Sequence, residues 1–410
     1  MSTESKDFRV RQATSWAVVE LRDLGEFKNG VNAGAEDFGR GIPFVNLMDV
    51  FGKSEVHDLD YALVDIPAKA AAEYALAKGD VLFVRSSVKP EGVGLAAVLL
   101  KDLPLTVYSG FLIRFRPNGN LHPAFAKYCF AEPGFRKSLL ARSTISANTN
   151  INQQALSTLS VPLPSLAEQR AIVEVLDAAE AAVRAADALI ERKIAYKKAL
   201  AEDLLTGRRR FPGFPSPWRE TKLSRFFAPK DDRAPTKTPL ILSCSKVYGI
   251  LPQSERFSKQ LASVSNAHYK HIVPGDLVYD PMLLWDASIA FSEYEGIVSP
   301  AYETLSWIGD EHGDRRFFKA LFKSDTMRCV YTTISQGTNA RRRKAPVTDF
   351  LKVSLKMPEA EEQRRIADLL SALDEEILLL RKQRNALNEQ KTGLMQKLLT
   401  GEVRLKEFRQ

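Results

Sequence analysis

Two stretches of the chain repeat apolar residues at alternating steps of four and three, and each stretch predicts a long helix. The first lies between Pro164 and Gly207, and the second lies between Pro358 and Gly401. A period of 3.5 residues kept over several heptads favours helices that pack along each other as a coiled coil. The predicted contact positions are Ile172, Leu176, Val183, Ile190 and Leu204 in the first helix and Ile366, Leu370, Leu373, Ile377, Leu380, Leu387, Leu394 and Leu398 in the second.

Local signals at the ends of these stretches predict where each helix begins and stops. Ser165 and Glu168 have the spacing of a capping box, in which the hydroxyl and the carboxylate each satisfy an exposed backbone donor. Glu361 and Glu362 stand in the first turn of the second helix, where acidic residues favour the helix dipole. The basic run 208–210 follows the first helix, and we expect it to complement the dipole at that end.

The two helices belong to an internal repeat of the whole chain. Gln169 returns as Gln363, an offset of 363 − 169 = 194 residues, and the Leu-Leu-Thr-Gly motif at 204–207 returns at 398–401 with the same offset. The globular segments repeat more loosely, as when Gly79-Asp80 returns as Gly275-Asp276. The helices thus keep one length while the segments before them diverge.

Short apolar runs separated by turn residues precede each long helix and predict strands. Examples are 81–84 and 112–115 in the first half and 277–279 and 303–308 in the second. A shorter helix is expected late in each segment. The predicted fold class is α+β, with two mixed α/β domains alternating with two long helices that pack as an antiparallel coiled coil, in a pseudo-twofold internal repeat.

The predicted organisation follows from these boundaries. It is a first globular domain at 1–162, a central helix at 163–207, a linker at 208–217, a second globular domain at 218–356, a C-terminal helix at 357–401 and a tail at 402–410.

Composition adds a preference for polyanionic partners. The 410 residues carry a net charge of +8, and excess positive charge favours ligands such as nucleic acid. No apolar run approaches the roughly 20 residues of a membrane span. The first residues do not resemble a signal peptide, and Cys129, Cys244 and Cys329 lie far apart. We therefore expect a cytoplasmic protein that does not contact a membrane.

Two polar segments stand at matching places before the long helices. The first is rich in amides, which can pair with adenine edges, and the second contains consecutive cations, which can hold phosphates or read guanine. A solvated connecting loop is the alternative for each segment. The candidate DNA-binding residues are Asn148, Asn150, Asn152 and Gln153 in the first segment and Asn339, Arg341, Arg342, Arg343 and Lys344 in the second.

No pattern in the sequence predicts an active site. Asp280-Pro281 only partly matches the motif of amino-methyltransferases, because the second proline and the aromatic residue of that motif are missing. His268 and His271 have a spacing that could bind a metal, but surface histidines are the favoured interpretation. No phosphate-binding loop of the Gly-x-x-x-x-Gly-Lys-Ser/Thr type is present. The prediction is a protein without a catalytic or metal site.

The chain resembles the specificity subunit of a type I restriction-modification enzyme over essentially its whole length. The resemblance rests on the proline followed by Glu-Gln-Arg at 164–170 and 358–364, on both Leu-Leu-Thr-Gly motifs and on the Gly-Asp strand of each half. It implies that each globular domain is a target-recognition domain for one half of a split DNA site. It also implies that the helices set the gap and dock adenine-methyltransferase subunits, with Gln169 and Gln363 at that interface.

The resemblance further implies that the chemistry belongs to partner subunits. Methyltransferase subunits would bind S-adenosylmethionine, and motor-nuclease subunits would use ATP and Mg²⁺ to translocate and cleave foreign DNA in defence against phage. This chain itself would bind double-stranded DNA and no cofactor. The alternatives are a dimerisation zipper, a structural adaptor whose coil recruits other proteins, and a self-contained methyltransferase that uses Asp280.

Overall fold

The structure is a computed structural model that describes residues 16–57, 60–145, 148–233, 240–256, 268–337 and 343–408. It divides into two compact units. Unit 1 comprises Met1–Ala185 and Gln383–Gln410, and unit 2 comprises Ala186–Lys382. Each unit therefore holds one globular domain, the beginning of one long helix and the end of the other.

The elements of unit 1 are short strands and helices followed by the first long helix. The strands are β1 (Ala17–Glu20), β2 (Gly25–Asn29), β3 (Phe38–Val45), β4 (Glu55–Val56), β5 (Ala62–Val64), β6 (Val81–Val84), β7 (Ser86–Ser87), β8 (Ala96–Leu99), β9 (Val107–Tyr108), β10 (Leu112–Pro117), β11 (Thr144–Ile145), β12 (Thr149–Asn150) and β13 (Ser160–Leu163). The helices are α1 (Leu21–Leu24), α2 (Leu47–Val50), α3 (Ala68–Tyr74), α4 (Pro123–Cys129), α5 (Pro133–Ala141), α6 (Gln153–Ser157) and the 40-residue α7 (Leu166–Leu205), which continues into unit 2.

The described part of unit 2 has the same order of short strands and helices followed by a long helix. Its strands are β14 (Arg219–Lys222), β15 (Phe227–Pro229), β16 (Leu242–Ser245), β17 (Gly249–Pro252), β18 (Lys270–Ile272), β19 (Leu277–Tyr279), β20 (Ile289–Phe291), β21 (Gly296–Val298), β22 (Glu303–Trp307) and β23 (Ser354–Met357). Its helices are α8 (Gln253–Arg256), α9 (Arg315–Leu321), α10 (Asp325–Ile334), α11 (Val347–Lys352) and the 40-residue α12 (Ala360–Leu399), which continues into unit 1.

The four strands of the central sheet in unit 2 correspond in order to the first four strands of the central sheet in unit 1. In unit 1 the order is β2-β10-β6-β8-β4, and in unit 2 it is β15-β22-β19-β20. All four residues of β6 are buried, as are the three residues of β19. A strand covered on both faces requires a continuous apolar run, which is what the sequence provides at both places. The internal repeat therefore extends from sequence to topology.

The Gly-Asp motif of each half forms the turn that leads into its central strand. Gly79 and Gly275 have φ of +93° and +96°, a left-handed conformation that glycine adopts most readily. The Asp80 carboxylate accepts hydrogen bonds from the Ala77 N–H at 2.8 Å and from the Arg116 guanidinium at 2.7 and 2.6 Å. In unit 2 the ammonium of Lys230 donates to Asp276 at 2.6 Å. The motif has a structural role in both units.

Each domain is closed by a strand pair that leads into its long helix. β1 pairs antiparallel with β13, which immediately precedes α7, and β14 pairs in the same way with β23, which precedes α12. The first strand of each domain therefore fixes the place where the chain leaves for the long helix.

Within each unit the start of one long helix packs against the end of the other. Ile172 and Leu176 of α7 share a core with Leu398 of α12 in unit 1, while Leu204 shares a core with Ile366 in unit 2. The helices therefore run in opposite directions where they meet. The predicted fold class, two mixed α/β domains with two long helices, is confirmed.

The predicted heptad positions differ in how deeply they are buried. Ten are buried, namely Ile172, Leu176, Val183, Ile190, Leu204, Ile366, Leu370, Leu373, Ile377 and Leu398. Leu380 and Leu387 are half-buried, whereas the side chain of Leu394 is 39% exposed and its neighbour Met395 packs against the core instead. A helix with 3.6 residues per turn drifts by about 20° per heptad from a strict 3.5-residue repeat, which accounts for the shift.

Candidate nucleic-acid interface

The amide-rich segment of unit 1 folds as a hairpin beside the loop that follows the central strand β6. β11 pairs with β12, and β12 pairs in turn with β7, so that Thr149 stands opposite Ser87. The Ile151 N–H then donates to the carbonyl of Arg85 at 3.0 Å. The hairpin and the loop after β6 therefore form one continuous surface of the domain.

The described residues on either side of the basic segment of unit 2 make equivalent contacts. Gln336 and Lys344 exchange backbone hydrogen bonds at 3.0 and 2.9 Å, and the Ala345 N–H donates to the carbonyl of Pro281 at 3.0 Å. Pro281 follows β19 as Arg85 follows β6. The amide hairpin in unit 1 and the described residues that follow the basic run in unit 2 thus both contact the loop after the central strand.

The predicted amides make hydrogen bonds within the chain. The Asn152 side chain caps α6 by accepting from the Ala155 N–H at 2.8 Å, and Asn150 donates to the Asn148 carbonyl at 2.8 Å. The Gln153 amide is placed to donate to the Phe27 carbonyl at 3.2 Å. Asn148 and Asn152 are exposed, whereas Asn150 and Gln153 are half-buried. DNA contact by these four residues stays a prediction.

Only part of the predicted basic run lies in the described structure. Asn339, Arg341 and Arg342 are outside the described residues. Lys344 is exposed, while Arg343 is half-buried and its Nε atom has no hydrogen-bond partner among the described residues. DNA contact by this run also stays a prediction.

A buried carboxylate connects the ends of the two long helices in unit 1. Glu168, in the first turn of α7, accepts from Arg404 Nε and Nη2 at 2.9 Å each and from the Trp16 indole N–H at 3.0 Å. The Glu168 side chain is only 2% exposed. Paired hydrogen bonds between a guanidinium and a carboxylate fix both distance and orientation. We call Trp16, Glu168 and Arg404 the first clasp.

Unit 2 contains the same arrangement, the second clasp, formed by Trp218, Glu362 and Arg210. Glu362 accepts from Arg210 Nε and Nη2 at 3.0 and 2.8 Å and from the Trp218 indole N–H at 3.0 Å. Its side chain is fully buried. The glutamates and the arginines each recur at the 194-residue offset of the helices, and this signal could have identified the pairing from sequence.

Two expectations about the helix ends require correction. Ser165 accepts from the Glu168 N–H at 3.2 Å, which is the expected half of the capping box, but the Glu168 carboxylate points to the clasp and not back to the helix start. Arg210 does not merely complement a dipole, because it binds Glu362. In both cases a partner distant in sequence provides more hydrogen bonds than the local one.

The glutamine that follows each clasp glutamate ties its helix to the adjacent domain. Gln169 donates to the Asn120 and Pro164 carbonyls at 3.0 and 2.9 Å and accepts from the His122 N–H at 2.7 Å. Gln363 donates to the Pro358 carbonyl at 2.9 Å. Both side chains are fully buried, so the chain's own backbone groups satisfy their amides.

A second polar link joins α4 to α7 in unit 1. The Lys127 ammonium lies 3.0 Å from Glu55 and 3.1 Å from Asp177, and the Tyr128 hydroxyl donates to Asp177 at 2.5 Å. Burial would lower the pKa of Lys127, but these carboxylates outweigh it and hold the pKa above its ordinary value. Burial would raise the pKa of Asp177, but the hydrogen bonds from Tyr128 and Lys127 hold it below its ordinary value.

The residues that the sequence analysis considered for catalysis or metal binding make local contacts within the chain. Burial raises the pKa of Asp280, whose carboxylate accepts from the Met282 N–H at 2.9 Å within a turn. His271 lies 3.3 Å from Glu295. Among the residues that the structure describes, no group of three or more His, Cys, Asp or Glu side chains is arranged to hold a metal ion. None of the described helices combines the length and apolar character that a membrane span requires.

Comparison with known proteins gives one consistent result. Residues 14–192 match the family model described as the type I restriction modification DNA specificity domain. The chain is 24% identical over 421 residues to the putative type I restriction enzyme MjaX specificity subunit of Methanocaldococcus jannaschii, a match that covers 95% of this chain and 94% of the relative.

Solved structures share the fold across nearly the whole chain. The HsdS subunit from Thermoanaerobacter tengcongensis superposes with a TM-score of 0.55 and 16% identity, covering 95% of this chain and 97% of that one. A chain from a study of assembly and conformational transition of the type I restriction-modification system gives a TM-score of 0.63 and 16% identity, covering 95% and 98%. Residues 14–192 therefore match a type I restriction modification DNA specificity domain, and over nearly its whole length the chain is similar in sequence and in fold to specificity subunits of type I restriction-modification enzymes.

Proposed function

We propose that each globular domain of this chain reads one half of a bipartite DNA site and that the two long helices set the gap between the halves. The observation that carries the proposal is the duplication: two helices of 40 residues each follow two domains with the same central strand order. A protein that fixes the distance between two half-sites must keep the length of its helices constant, whereas its two recognition domains can differ. The proposed recognition domains are 1–162 and 218–356, and the segments 163–207 and 357–401 contain the long helices α7 and α12.

The polar segments before the helices are the proposed DNA-contacting elements. The described residues that flank them make equivalent contacts in the two units, but the first segment is rich in amides and the second in cations. Exposed Lys344 and its neighbours would hold phosphates or read guanine, while exposed Asn148 and Asn152 would pair with adenine edges. Different side chains on the same framework would give two different half-sites.

The length of the helices is sufficient to separate two DNA half-sites. A helix of 40 residues is about 60 Å long at ~1.5 Å per residue. This length exceeds one turn of duplex DNA, about 34 Å, so the two readers could contact separate half-sites. The opposite directions of the helices in each unit support an antiparallel coiled coil along their length.

The helices would also dock the methyltransferase subunits. In unit 2 they expose five large apolar side chains: Leu189, Ile194, Tyr196, Leu378 and Leu379. Exposed apolar side chains that lie together commonly mark an interaction surface of a protein. Of these five residues Ile194 also lines a groove of about 680 Å³, together with Ala201 and Leu370.

Catalysis would take place in the partner subunits. Adenine-methyltransferase subunits would bind S-adenosylmethionine and act on a base flipped out of the duplex. Motor-nuclease subunits would supply ATP- and Mg²⁺-dependent translocation and cleavage, in the cytoplasm. This chain would contribute double-stranded DNA recognition and a platform for assembly.

The experiment is to purify the chain together with the adenine-methyltransferase subunit encoded beside it and to footprint the complex on DNA. The proposal expects co-elution and protection of two separated half-sites. A chain that binds no such subunit, or that binds all sequences equally, would instead be an adaptor. Binding of S-adenosylmethionine by the isolated chain would favour a self-contained methyltransferase.

A further inference from the structure

Besides the two polar segments, the loop after β6 also carries exposed side chains. Val88 is 82% exposed and Phe111 is 60% exposed, although both are large apolar residues. Arg85 and Lys89, which lie with Val88 in the loop after β6, are exposed too, whereas Phe111 lies just before β10. We call Arg85, Val88, Lys89 and Phe111 the β6 surface.

Backbone hydrogen bonds hold the β6 surface together and join it to the amide hairpin. The Arg85 N–H donates to the Phe111 carbonyl at 2.9 Å, while the Arg85 carbonyl accepts from the Ile151 N–H at 3.0 Å. Ser86 and Ser87 pair with Asn150 and Thr149. The apolar, cationic and amide side chains therefore emerge from one fixed framework.

Unit 2 keeps this framework but changes its side chains. Pro281 stands six residues after Gly275, as Arg85 stands six residues after Gly79, and each carbonyl accepts one hydrogen bond from the segment before the long helix. The strand pairings Ile113–Phe83 and Glu303–Tyr279 place Phe111 and Ala301 at corresponding positions.

The exposed positions are therefore those that differ between the units. Arg85 corresponds to Pro281, Phe111 corresponds to Ala301, and exposed Val88 corresponds to buried Leu284. Two domains that recognise different DNA sequences are expected to share a backbone framework and to differ in their exposed side chains.

The charge of the β6 surface fits DNA. Within the described part of the chain, neither Arg85 nor Lys89 forms an ion pair with a carboxylate. The Arg85 guanidinium donates one hydrogen bond to the Gly110 carbonyl at 3.4 Å. Its remaining N–H groups and the exposed Lys89 ammonium can bind a phosphate or a guanine edge. In unit 1 these two residues supply the positive charge that the amide segment lacks, and in unit 2 the basic run supplies it.

We propose that the β6 surface reads DNA bases for the first recognition domain and that Phe111 and Val88 contact the 5-methyl group of a thymine in the major groove. Apolar side chains, phenylalanine among them, recognise thymine through this methyl group, and Arg85 and Lys89 would hold the flanking backbone. The inference rests on the proposed function and identifies the residues and the base type for one half-site.

The test uses the full chain in complex with its methyltransferase subunit. Bound duplexes are first selected from a random pool, and each thymine of the selected site is then replaced by deoxyuridine, which lacks only the methyl group. The wild-type complex should lose about fourfold in affinity at one or two positions of a single half-site, the value of one buried methyl group.

Phe111→Ala and Val88→Ala should each abolish part of that sensitivity and relax only the same half-site. Leu105→Ala, a truncation of a residue that is 53% exposed in the same unit, is the matched control and should leave the sensitivity intact. Phe111→Leu should restore it in part. Arg85→Gln and Lys89→Gln should each flatten the salt dependence by about one phosphate contact, whereas Lys101→Gln should not.

The outcomes separate the two proposals. If the wild-type complex selects two half-sites but Phe111→Ala and Val88→Ala leave both half-sites and the deoxyuridine sensitivity unchanged, the β6 surface does not read bases, although the proposed function stands. If the wild-type complex selects no bipartite site, the proposed function fails and this inference fails with it.

Discussion

The carboxylate of Glu168, in the first turn of α7, is bound at 2.9 Å by both Nε and Nη2 of Arg404, which follows the end of α12. This single ion pair joins residues that are 236 positions apart in the sequence. Because the second clasp repeats it with Glu362 and Arg210, each unit fastens the start of one helix to the end of the other.

Breaking the first clasp should destabilise the protein strongly. Arg404→Ala leaves the Glu168 carboxylate, whose side chain is 2% exposed, without its cation, so the unfolding free energy should fall by more than the loss of an exposed ion pair would cause. Lys319→Ala, which breaks an exposed pair with Glu293, should cost no more than about 1 kcal/mol. Denaturant unfolding of both variants measures the difference, and equal losses would show that the clasp contributes little.

The polar link at Asp177 should give the protein part of its acid sensitivity. Since the folded-state pKa of Asp177 lies below its ordinary value, it adds stability above about pH 4, and this stability disappears as the pH falls through the folded-state pKa. Asp177→Asn should therefore flatten the fall of unfolding free energy below about pH 4. Glu174→Gln on the exposed face of α7 is the control. An unchanged pH profile in Asp177→Asn would refute this role.

Glu202 of α7 should stabilise the beginning of α10. Its carboxylate accepts from the Asp325 and Thr326 N–H groups at 3.3 Å each and from the Thr326 hydroxyl. Glu202→Ala should cost about 1 kcal/mol locally, as the loss of an N-cap does, and should speed hydrogen exchange at the amides of 325–328. Exposed Glu191→Ala should leave those amides unchanged. Equal exchange in both variants would contradict the capping role.

The basic run should add phosphate contacts. Replacing Arg341, Arg342, Arg343 or Lys344 with Ala should weaken binding to all sequences and lower the salt slope by about one per lost contact. Lys356→Ala, another exposed cation of unit 2, should leave the slope unchanged. If one of the four residues reads a base instead, its replacement will relax only one half-site at constant slope.

The long helices could be predicted closely from sequence because their signals are local. The prolines before them, the glycines after them and the apolar period between them are each visible within a few residues. The structure accordingly places the helices at Leu166–Leu205 and Ala360–Leu399. The buried positions of α12 were harder to predict beyond Leu387. Small departures from the 3.5-residue period accumulate along the helix and leave Leu394 exposed.

The contacts that hold each domain to its helix were not predicted, although the 194-residue recurrence of the clasp glutamates and arginines could have indicated one of them. Glu168 and Gln169 carry the signature of the helix start, but their partners Arg404 and His122 are distant in sequence. The β6 surface was missed for a similar reason. Arg85 and Phe111 become neighbours only through strand pairing, whereas the basic run is contiguous and therefore visible.

The most direct test of the account is to delete one heptad from the middle of each long helix and sequence the methylated adenines of cells that carry the variant with its partner subunits. Seven residues remove about 10.5 Å of helix, which corresponds to about three base pairs at ~3.4 Å each. We expect the same two half-sites with a gap about three base pairs shorter. Half-sites at an unchanged gap, or methylation at one continuous site, would contradict the account.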